Sequence, residues 1–463
     1  MNSSNPLELR KWELGPVALL IAGLMFMETL DATVLPTAAP TIARQFGVAS
    51  SQVGICVTAY LTSMLVLIPV STWFLEKWGS RRVLFGAIIV FTVASVLCAT
   101  STNLTELTFM RILQGAGGAM MVPVGRFVVL RSTDKANIIR AIAYLTWPAL
   151  FAPVIAPALS GFLITYASWP WIFLINVPLG AVALVIAFRI LPHDDHGSAG
   201  RLDWRGFYGT TASLGCLVIG SAELGKPNSS LLISLSLFIA SIVLGVPTIR
   251  HFLRTPAPLI GLSALRIHTF RSASSGGGIF RSALHTVPFL LPLLFQDKFG
   301  WSPGKTGSIV LLLFVGNIGF KPFTTPILKK FRFRSILIFT CLASAATVVG
   351  INALGPTSPN LVIAVILISS GCFRSLGATC YNTITFADID QPLMREANIL
   401  ANIIGQLTQV FAVALAVISL KVGSQLFGSA AEFTFALWIV VALMVYAAGE
   451  AFLLPHHAGD SIR

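Results

Sequence analysis

Charged residues are scarce in this chain of 463 residues, where Asp, Glu, Lys and Arg together make up only 11% of the sequence. The surface of a soluble domain needs roughly a quarter to a third of its residues charged. Hydrophobic residues, in contrast, account for 55% of the chain. This composition excludes an ordinary water-soluble fold and predicts an all-α or β-barrel integral membrane protein.

Cysteine motifs and nucleotide-binding motifs are also missing. The six cysteines lie in or beside apolar runs, with no C-x-x-C pair and no metal-ligand spacing, so neither disulfides nor a metal site is expected. The glycine-rich stretch SSGGG at 274–278 lacks the Gly-Lys-Ser of a phosphate loop. Without a catalytic triad or cofactor motif, the chain is predicted not to be an enzyme and to take its energy from an ion gradient.

Long apolar runs follow one another along the whole chain. A helix needs about 20 apolar residues to cross the hydrocarbon, and the runs are continuous rather than alternating, which favours helices over a barrel. The first run is too long for a cleaved signal peptide. Fourteen transmembrane helices are predicted, near residues 15–37, 53–73, 83–100, 105–128, 141–165, 170–191, 207–224, 231–249, 272–296, 304–325, 335–353, 360–384, 398–420 and 433–454.

Basic residues are concentrated on one side of these predicted helices. With the N-terminus in the cytoplasm, 21 Lys and Arg residues fall in cytoplasmic segments, and only five fall outside: Arg44, Lys226, Lys298, Lys305 and Lys421. Short loops rich in Lys and Arg stay in the cytoplasm. The bias predicts a multi-pass protein with an even number of spans and both termini cytoplasmic. The predicted location is the bacterial inner membrane. It also explains the net charge of +13 without a nucleic-acid partner.

Two loops resemble each other at an offset of 253 residues, FLEKWGSRRVL at 74–84 and ILKKFRFRSIL at 327–337. A parallel repeat of two six-helix bundles explains this similarity and leaves two spans over. The predicted organisation is an N-terminal bundle at 1–200, an inserted transmembrane hairpin with flanking segments at 201–268, and a C-terminal bundle at 269–463.

Three motifs resemble those of the major facilitator superfamily, and specifically its fourteen-helix drug:proton antiporter branch. They are LDATVLPTAAPTIA at 30–43, FMRILQGAGGAMMVPVGR at 109–126 and SWPWIFLINVPLG at 168–180, and the second is similar to the MdtD-type multidrug transporters. The resemblance implies the major facilitator fold, alternating access, coupling to protons, and a monomer as the functional unit.

The loop after the second span of that branch usually reads Gly-x-x-x-Asp-Arg-x-Gly-Arg-Arg, and this chain departs from it at Thr72, Glu76 and Ser80. The resemblance implies a gate of charge pairs on the cytoplasmic side. The residues predicted to form this gate are Glu76, Lys77, Gly79, Arg81, Arg82 and Arg126.

Charged side chains inside predicted spans cost about 3 kcal/mol each on insertion scales, which makes them functional candidates. Glu28 and Asp31 share one face of the first span, and Arg111 on the fourth lies at the same depth as Asp31. Pairing with Arg111 would hold Asp31 ionised until the pair breaks and the acid binds a proton. These three residues are the predicted proton-coupling set. The alternative is a structural brace between Asp31 and Arg111 without proton exchange.

The resemblance implies that the first, fourth, ninth and twelfth spans line a central cavity. Arg281, His285 and Arg374 lie on the last two of these spans near mid-membrane, where the two guanidinium groups are expected to converge. Arginine binds carboxylates and other anionic oxygens with two parallel hydrogen bonds. Gln114 and Asn317 complete the predicted substrate-binding set.

The leading interpretation is proton-coupled export of a small organic anion or a metal–organic anion chelate. Export of lipophilic or cationic drugs is the alternative that the branch favours. An ion-driven importer and a non-transporting membrane sensor with a transporter fold are further alternatives, since fold alone does not fix function. The expected partners are a small-molecule substrate, protons and the lipid bilayer.

Overall fold

Helices form nearly all of the part of the chain that the computed structural model describes, which is residues 14–131, 138–191, 202–224, 230–255, 258–389 and 393–454. The helices are α1 (Leu14–Phe46), α2 (Gly54–Trp78), α3 (Ser80–Thr100), α4 (Leu104–Arg131), α5 (Ile138–Tyr166), α6 (Trp171–Leu174), α7 (Asn176–Ile190), α8 (Trp204–Leu224), α9 (Leu231–Arg254), α10 (His268–Leu293), α11 (Pro303–Gly319), α12 (Lys321–Lys330), α13 (Phe333–Asn352), α14 (Asn360–Thr385), α15 (Met394–Phe427) and α16 (Glu432–Phe452).

Eleven helices in the described residues are long and apolar enough to cross a membrane, or twelve if α11 and α12, which meet at a bend of 44°, form one span. The prediction of an all-α membrane protein is therefore confirmed, whereas the count of fourteen spans is not. In α5 the described apolar part is only Phe151–Tyr166. In α8, glycine, serine and threonine lie between the apolar residues, and the helix is not among the eleven; its sequence is WRGFYGTTASLGCLVIGSAEL.

The chain packs as two groups of helices. In the first half α1 packs on α5, α4 packs on both α2 and α3, and α3 packs on α7. In the second half α10 packs on α15, α11 on α14, and α13 on both α14 and α16. Among the described helices, the halves meet mainly where α1 packs on α10, α2 on α15 and α5 on α11. These pairs surround the centre of the molecule, where a cavity separates the halves.

Helices α8 and α9 form an antiparallel pair. The hydroxyl of Ser213 donates to the carbonyl of Ser241 at 2.8 Å, and Gly209 lies directly against the side chain of Thr248. Of the two, α8 contacts α2 and α15, while most of α9 is not buried by the rest of the described chain. The pair thus lies beside the seam where α2 of the first half meets α15 of the second.

Asp203, just before α8, connects this pair to the segment that leads into α10. Its carboxylate accepts hydrogen bonds from the backbone N–H of Gly206 at 2.9 Å and of Leu259 at 3.1 Å, and it pairs with Nε2 of His251 at 2.8 Å. Burial by itself raises the pKa of Asp203, but these bonds outweigh it and hold the pKa below its usual value. The stabilisation is therefore present at neutral pH and is lost as the pH falls through that lowered pKa.

Several predicted loop features lie outside the described residues. They are the N-terminal segment with Arg10 and Lys11, the segment 132–137 with Lys135, the segment 192–201 before the predicted hairpin, the loop 225–229 with Lys226, and the C-terminal segment 455–463.

We call the end of the molecule that holds the loops around Gly47, Gly300 and Gly428 the outer end, because the charge bias predicts that it faces away from the cytoplasm. Here the halves pack closely. The side-chain amide of Gln296 donates to the carbonyl of Thr37 at 2.9 Å across the α1–α10 seam. Small residues allow helices to approach closely. Gly161 of α5 accordingly lies against the backbone at the start of α11, and Gly54 of α2 lies against α10 and α15.

Candidate functional site

The structure brings Asp31 and Arg111 together, as their matched depths predicted. Asp31 is 1% exposed and Arg111 is fully buried. Nη1 of Arg111 lies 2.5 Å from Oδ2 of Asp31. Helices α1 and α4 run antiparallel, with Gly118 facing Glu28 and Gly125 facing Ile21. This register places the two charged groups opposite each other.

Three side chains donate hydrogen bonds to the carboxylate of Asp31. Besides Arg111, the amide of Gln114 donates to Oδ1 at 2.9 Å and the amide of Asn176 donates to the same oxygen at 2.8 Å. Gln114 also accepts from Arg111 at 2.7 Å and donates to the hydroxyl of Ser95 at 2.8 Å. These five residues, which we call the carboxylate cluster, tie α1 to α3, α4 and α7.

Sequence reasoning missed two members of the carboxylate cluster and placed a third elsewhere. Asn176 belongs to the motif SWPWIFLINVPLG, which served only as a family marker, although a lone amide in an apolar run is itself a signal. Ser95 carries no comparable signal. Gln114 was predicted to bind substrate, but it is fully buried in the cluster and does not line the central cavity.

Arg111 has one carboxylate and two aromatic rings as neighbours. Its guanidinium carbon lies 4.2 Å from the ring centroid of Tyr60 and 5.6 Å from that of Phe173. Its Nε and Nη2 have no hydrogen-bond partner in the described part of the chain. A cation held in this way depends strongly on Asp31, because the loss of its one anionic partner among the described residues leaves a buried charge uncompensated.

Glu28 lies about one helical turn from Asp31, towards the inner end of α1, and is only half-buried. A Cβ on Gly118 of α4 would lie 3.6 Å from its Cγ, so the side chain runs along α4. Its carboxylate forms no hydrogen bond with the described residues. Arg126, exposed on α4, is the basic side chain near enough to act on it. Glu28 is thus more accessible than Asp31 and outside the carboxylate cluster.

A cavity of about 230 Å³ lies between the halves. Arg374 is the one charged residue among the described residues that line it. Its Nη1 donates to the carbonyl of Leu284 at 2.5 Å, and its Nη2 lies 3.4 Å from Nδ1 of His285. The other polar lining residues are Thr29, Thr33, Thr37 and Gln409, and the apolar ones include Pro153, Pro157, Phe289 and Phe314.

Helix α1 separates this cavity from the carboxylate cluster. Thr29, Thr33 and Pro36 line the cavity, whereas Asp31 faces α4 and α7. A displacement of α1 caused by a molecule in the cavity would therefore act directly on the hydrogen bonds of Asp31. Within the described ranges, no group of three His, Cys, Asp or Glu side chains could hold a metal ion.

Arg281 and Asn317 lie apart from the cavity lining. Nη2 of Arg281 donates to Oδ1 of Asn382 at 2.6 Å. Asn382 is eight residues beyond Arg374 on α14, about 12 Å along the helix axis. Arg281 and Arg374 therefore have different hydrogen-bond partners in this conformation, and their convergence across the cavity stays a prediction. Asn317 lies where α11 crosses α14, its backbone against Gly371.

The predicted gate loop turns sharply at Gly79, which has a φ of 80° that favours glycine and separates α2 from α3. Arg81 follows this turn and donates to the carbonyl of Phe188 at 3.1 Å. Its guanidinium also lies over the ring of Phe188. Arg81 thus connects α3 to α7 within the first half.

The other predicted gate residues are exposed. Nζ of Lys77 lies 4.6 Å from the ring centroid of Trp73, and Glu76 and Arg82 form no ion pair with the described residues. Arg126 lies on α4, on the side of Glu28. Charge pairing among these groups stays a prediction for another conformation of the protein.

The chain matches the Major Facilitator Superfamily over residues 21–413. It belongs to this family. It is 31% identical over 408 residues to "Putative multidrug resistance protein MdtD" of Citrobacter koseri, covering 88% of this chain and 85% of that protein. It is 30% identical over 418 residues to the protein of the same name from Pectobacterium atrosepticum, covering 90% and 88%. The crystal structure of a D-xylose-proton symporter shares the fold, with a TM-score of 0.69, 15% identity, and coverage of 96% and 99%.

Membership of the major facilitator superfamily confirms the resemblance recognised in the sequence motifs. It indicates a multi-pass membrane transporter rather than an enzyme. The likeness to the symporter extends to the fold alone. The carboxylate cluster and the cavity of this transporter must therefore be interpreted from their own chemistry.

Proposed function

We propose that this transporter is a proton-coupled exporter of small organic anions, including metal–organic anion chelates, that acts as a monomer in the bacterial inner membrane with both termini cytoplasmic. The observation that carries this proposal is the position of Arg374, a cation on the wall of the central cavity whose hydrogen-bond partners are neutral. Alternating access between the two halves exposes the cavity to each side in turn.

Asp31 is the proposed proton site. In the conformation described here, three side chains donate hydrogen bonds to its carboxylate. Movement of α1 away from α4 and α7 would remove those donors, and an ionised carboxylate without partners is costly in a low-dielectric site, so it would bind a proton. Return of α1 would release the proton. Because α1 also lines the cavity, substrate binding and proton binding compete for the position of the same helix.

The proposed substrate site combines Arg374 with an apolar wall. Arginine binds a carboxylate through two parallel hydrogen bonds, which are stronger than its present bond to a backbone carbonyl. The side-chain amide of Gln409 supplies a further donor, while Pro157 and Phe289 contact the apolar part of the substrate. A small anion with an apolar body fits this arrangement.

A second candidate function is export of lipophilic or cationic drugs. Two observations favour it: the relatives are named for multidrug resistance, and Glu28 is an acid without a hydrogen-bond partner in the described residues. A non-transporting sensor with this fold is a third possibility, and it would tolerate neutral side chains in the carboxylate cluster without loss of output.

A competition screen on the reconstituted transporter distinguishes these functions. Liposomes that contain the wild-type protein are tested for exchange of labelled aromatic carboxylates, citrate-type metal chelates and lipophilic cations. We expect saturable exchange of at least one anion, and competition among anions. Exchange confined to cations would favour the drug-export candidate, and a lack of exchange with every compound would favour the sensor.

We also propose that α8 and α9 cross the membrane as a hairpin inserted between a first bundle at 1–200 and a second at 269–463, which gives fourteen spans. Their antiparallel packing and their position beside the α2–α15 seam support this. In a variant without native cysteines, Asn228→Cys should react with an impermeant thiol reagent added outside intact cells, and Ser198→Cys should not. Labelling of Ser198→Cys instead would contradict the hairpin and the predicted orientation.

A further inference from the structure

An apolar groove of about 350 Å³ runs along the membrane-facing side of the first half, between α1 and α7. Leu19, 73% exposed, and Val182, 57% exposed, form its open edges. Gly23 lies in its floor, and a Cβ placed there would meet no atom within 4 Å. The residues that line the groove are Pro16, Leu19, Leu20, Gly23, Leu24, Met27, Leu179, Val182, Ala183, Ile186 and Ile190.

The length of this groove matches one leaflet of a bilayer. It extends from Pro16 to Met27 on α1 and from Leu179 to Ile190 on α7, a distance of eleven residue-to-residue steps on each helix. At about 1.5 Å per residue this is about 16 Å, roughly half of a hydrocarbon core about 30 Å thick. Pro16–Phe46 of α1 and the segment Trp171–Ile190, which comprises α6 and α7, are each long and apolar enough to cross a membrane. The groove therefore lies within a single leaflet and has the extent of one acyl chain.

A cation lies at the end of the groove where the headgroups of that leaflet are expected. Arg189, in the last turn of α7, is exposed and directly precedes Ile190 of the groove lining. It forms no hydrogen bond or ion pair with the described residues. An arginine at the membrane surface attracts anionic headgroups. The apolar groove thus matches an acyl chain, and Arg189 at its end matches the charged headgroup of an anionic phospholipid.

From this geometry we propose that the α1–α7 groove binds one acyl chain of an anionic glycerophospholipid, with the phosphate on Arg189. The end of the bound acyl chain lies at Met27, one helical turn from Asp31. The carboxylate of Asp31 accepts a hydrogen bond from Asn176, which connects α1 to α7. A bound chain fills the space beneath that hydrogen bond and holds α1 against α7. The site is independent of the transported substrate.

Native mass spectrometry of the full-length, delipidated protein titrated with phosphatidylglycerol tests this site. Gly23→Leu fills the groove floor with a side chain that has room there. Gly86→Leu is the matched control, because Gly86 is exposed on α3 and also has no atom near its Cβ. We expect Gly23→Leu to raise the apparent Kd of the first bound lipid about tenfold, the effect of losing burial of about two methylene groups, and Gly86→Leu to leave it unchanged.

The headgroup contact is tested separately by comparing phosphatidylglycerol with phosphatidylcholine. Wild type should prefer phosphatidylglycerol, and Arg189→Gln should reduce that preference about fivefold. Equal weakening by Gly23→Leu and Gly86→Leu, or unchanged binding by Gly23→Leu, would overturn the site. Loss of a protein dimer rather than of lipid in Gly23→Leu would assign the groove to a second copy of the chain and overturn the lipid proposal.

Discussion

Asp31→Asn is expected to reduce flux driven by a pH gradient to the level of empty liposomes. Asparagine keeps the size of the side chain, and its carbonyl oxygen can still accept from Gln114 or Asn176, but it cannot bind and release a proton. The measurement is substrate movement in proteoliposomes after an imposed pH jump. Glu28→Gln is the control, and its defect should be milder, since Glu28 lies outside the carboxylate cluster.

Stability separates a loss of coupling from a loss of fold in this variant. Removing one partner of a buried ion pair costs about 3–5 kcal/mol, because Arg111 is left without its anion. The double variant Asp31→Asn, Arg111→Gln removes both charges and should recover much of the thermal stability without recovering pH-driven flux. Full pH-driven transport by either variant would show that the ion pair is only a structural brace.

Arg374→Gln is expected to weaken binding of an anionic substrate about 10- to 100-fold, while binding of a lipophilic cation changes little. A hydrogen bond to a charged group contributes about 1.5–3 kcal/mol, which corresponds to that factor. Because the described partners of Arg374 are the carbonyl of Leu284 and His285, no protein carboxylate is left unpaired by the change. Competition binding to the purified protein gives the apparent constants.

Arg281→Gln provides the comparison for this prediction. Arg281 bonds to Asn382 and does not line the cavity, so its loss should affect anion binding less than the loss of Arg374. If Arg374→Gln leaves anion binding intact, or weakens cation binding equally, the cavity does not select anions. Export of lipophilic drugs then becomes the better description.

The helical membrane fold was predictable because the bilayer constrains every span in the same way. Each span must be long enough to cross the hydrocarbon and must form its backbone hydrogen bonds internally, which a helix does. The count of spans was harder to predict. Helix α8 carries enough glycine, serine and threonine to fall below the hydropathy of the other spans, and its assignment depends on packing against α2, α9 and α15. Such contacts between distant segments cannot be read from local composition.

Within the site, the Asp31–Arg111 pair was predictable because both groups are costly in a membrane and lie at equal depth on helices expected to be neighbours. Depth alone could not place Gln114, since its direction depends on how α4 is rotated about its axis. Depth also could not show which of the two arginines lines the cavity, and among the described residues Arg374 does so and Arg281 does not.

The most direct test of proton-coupled export follows substrate and protons together in proteoliposomes that contain the wild-type transporter. With an outward-directed substrate gradient and no pH gradient, we predict that protons move opposite to the substrate, in a fixed ratio, and that Asp31→Asn abolishes this proton movement. Substrate flux that proceeds without any counter-movement of protons, and that is indifferent to an imposed pH gradient, would contradict the account.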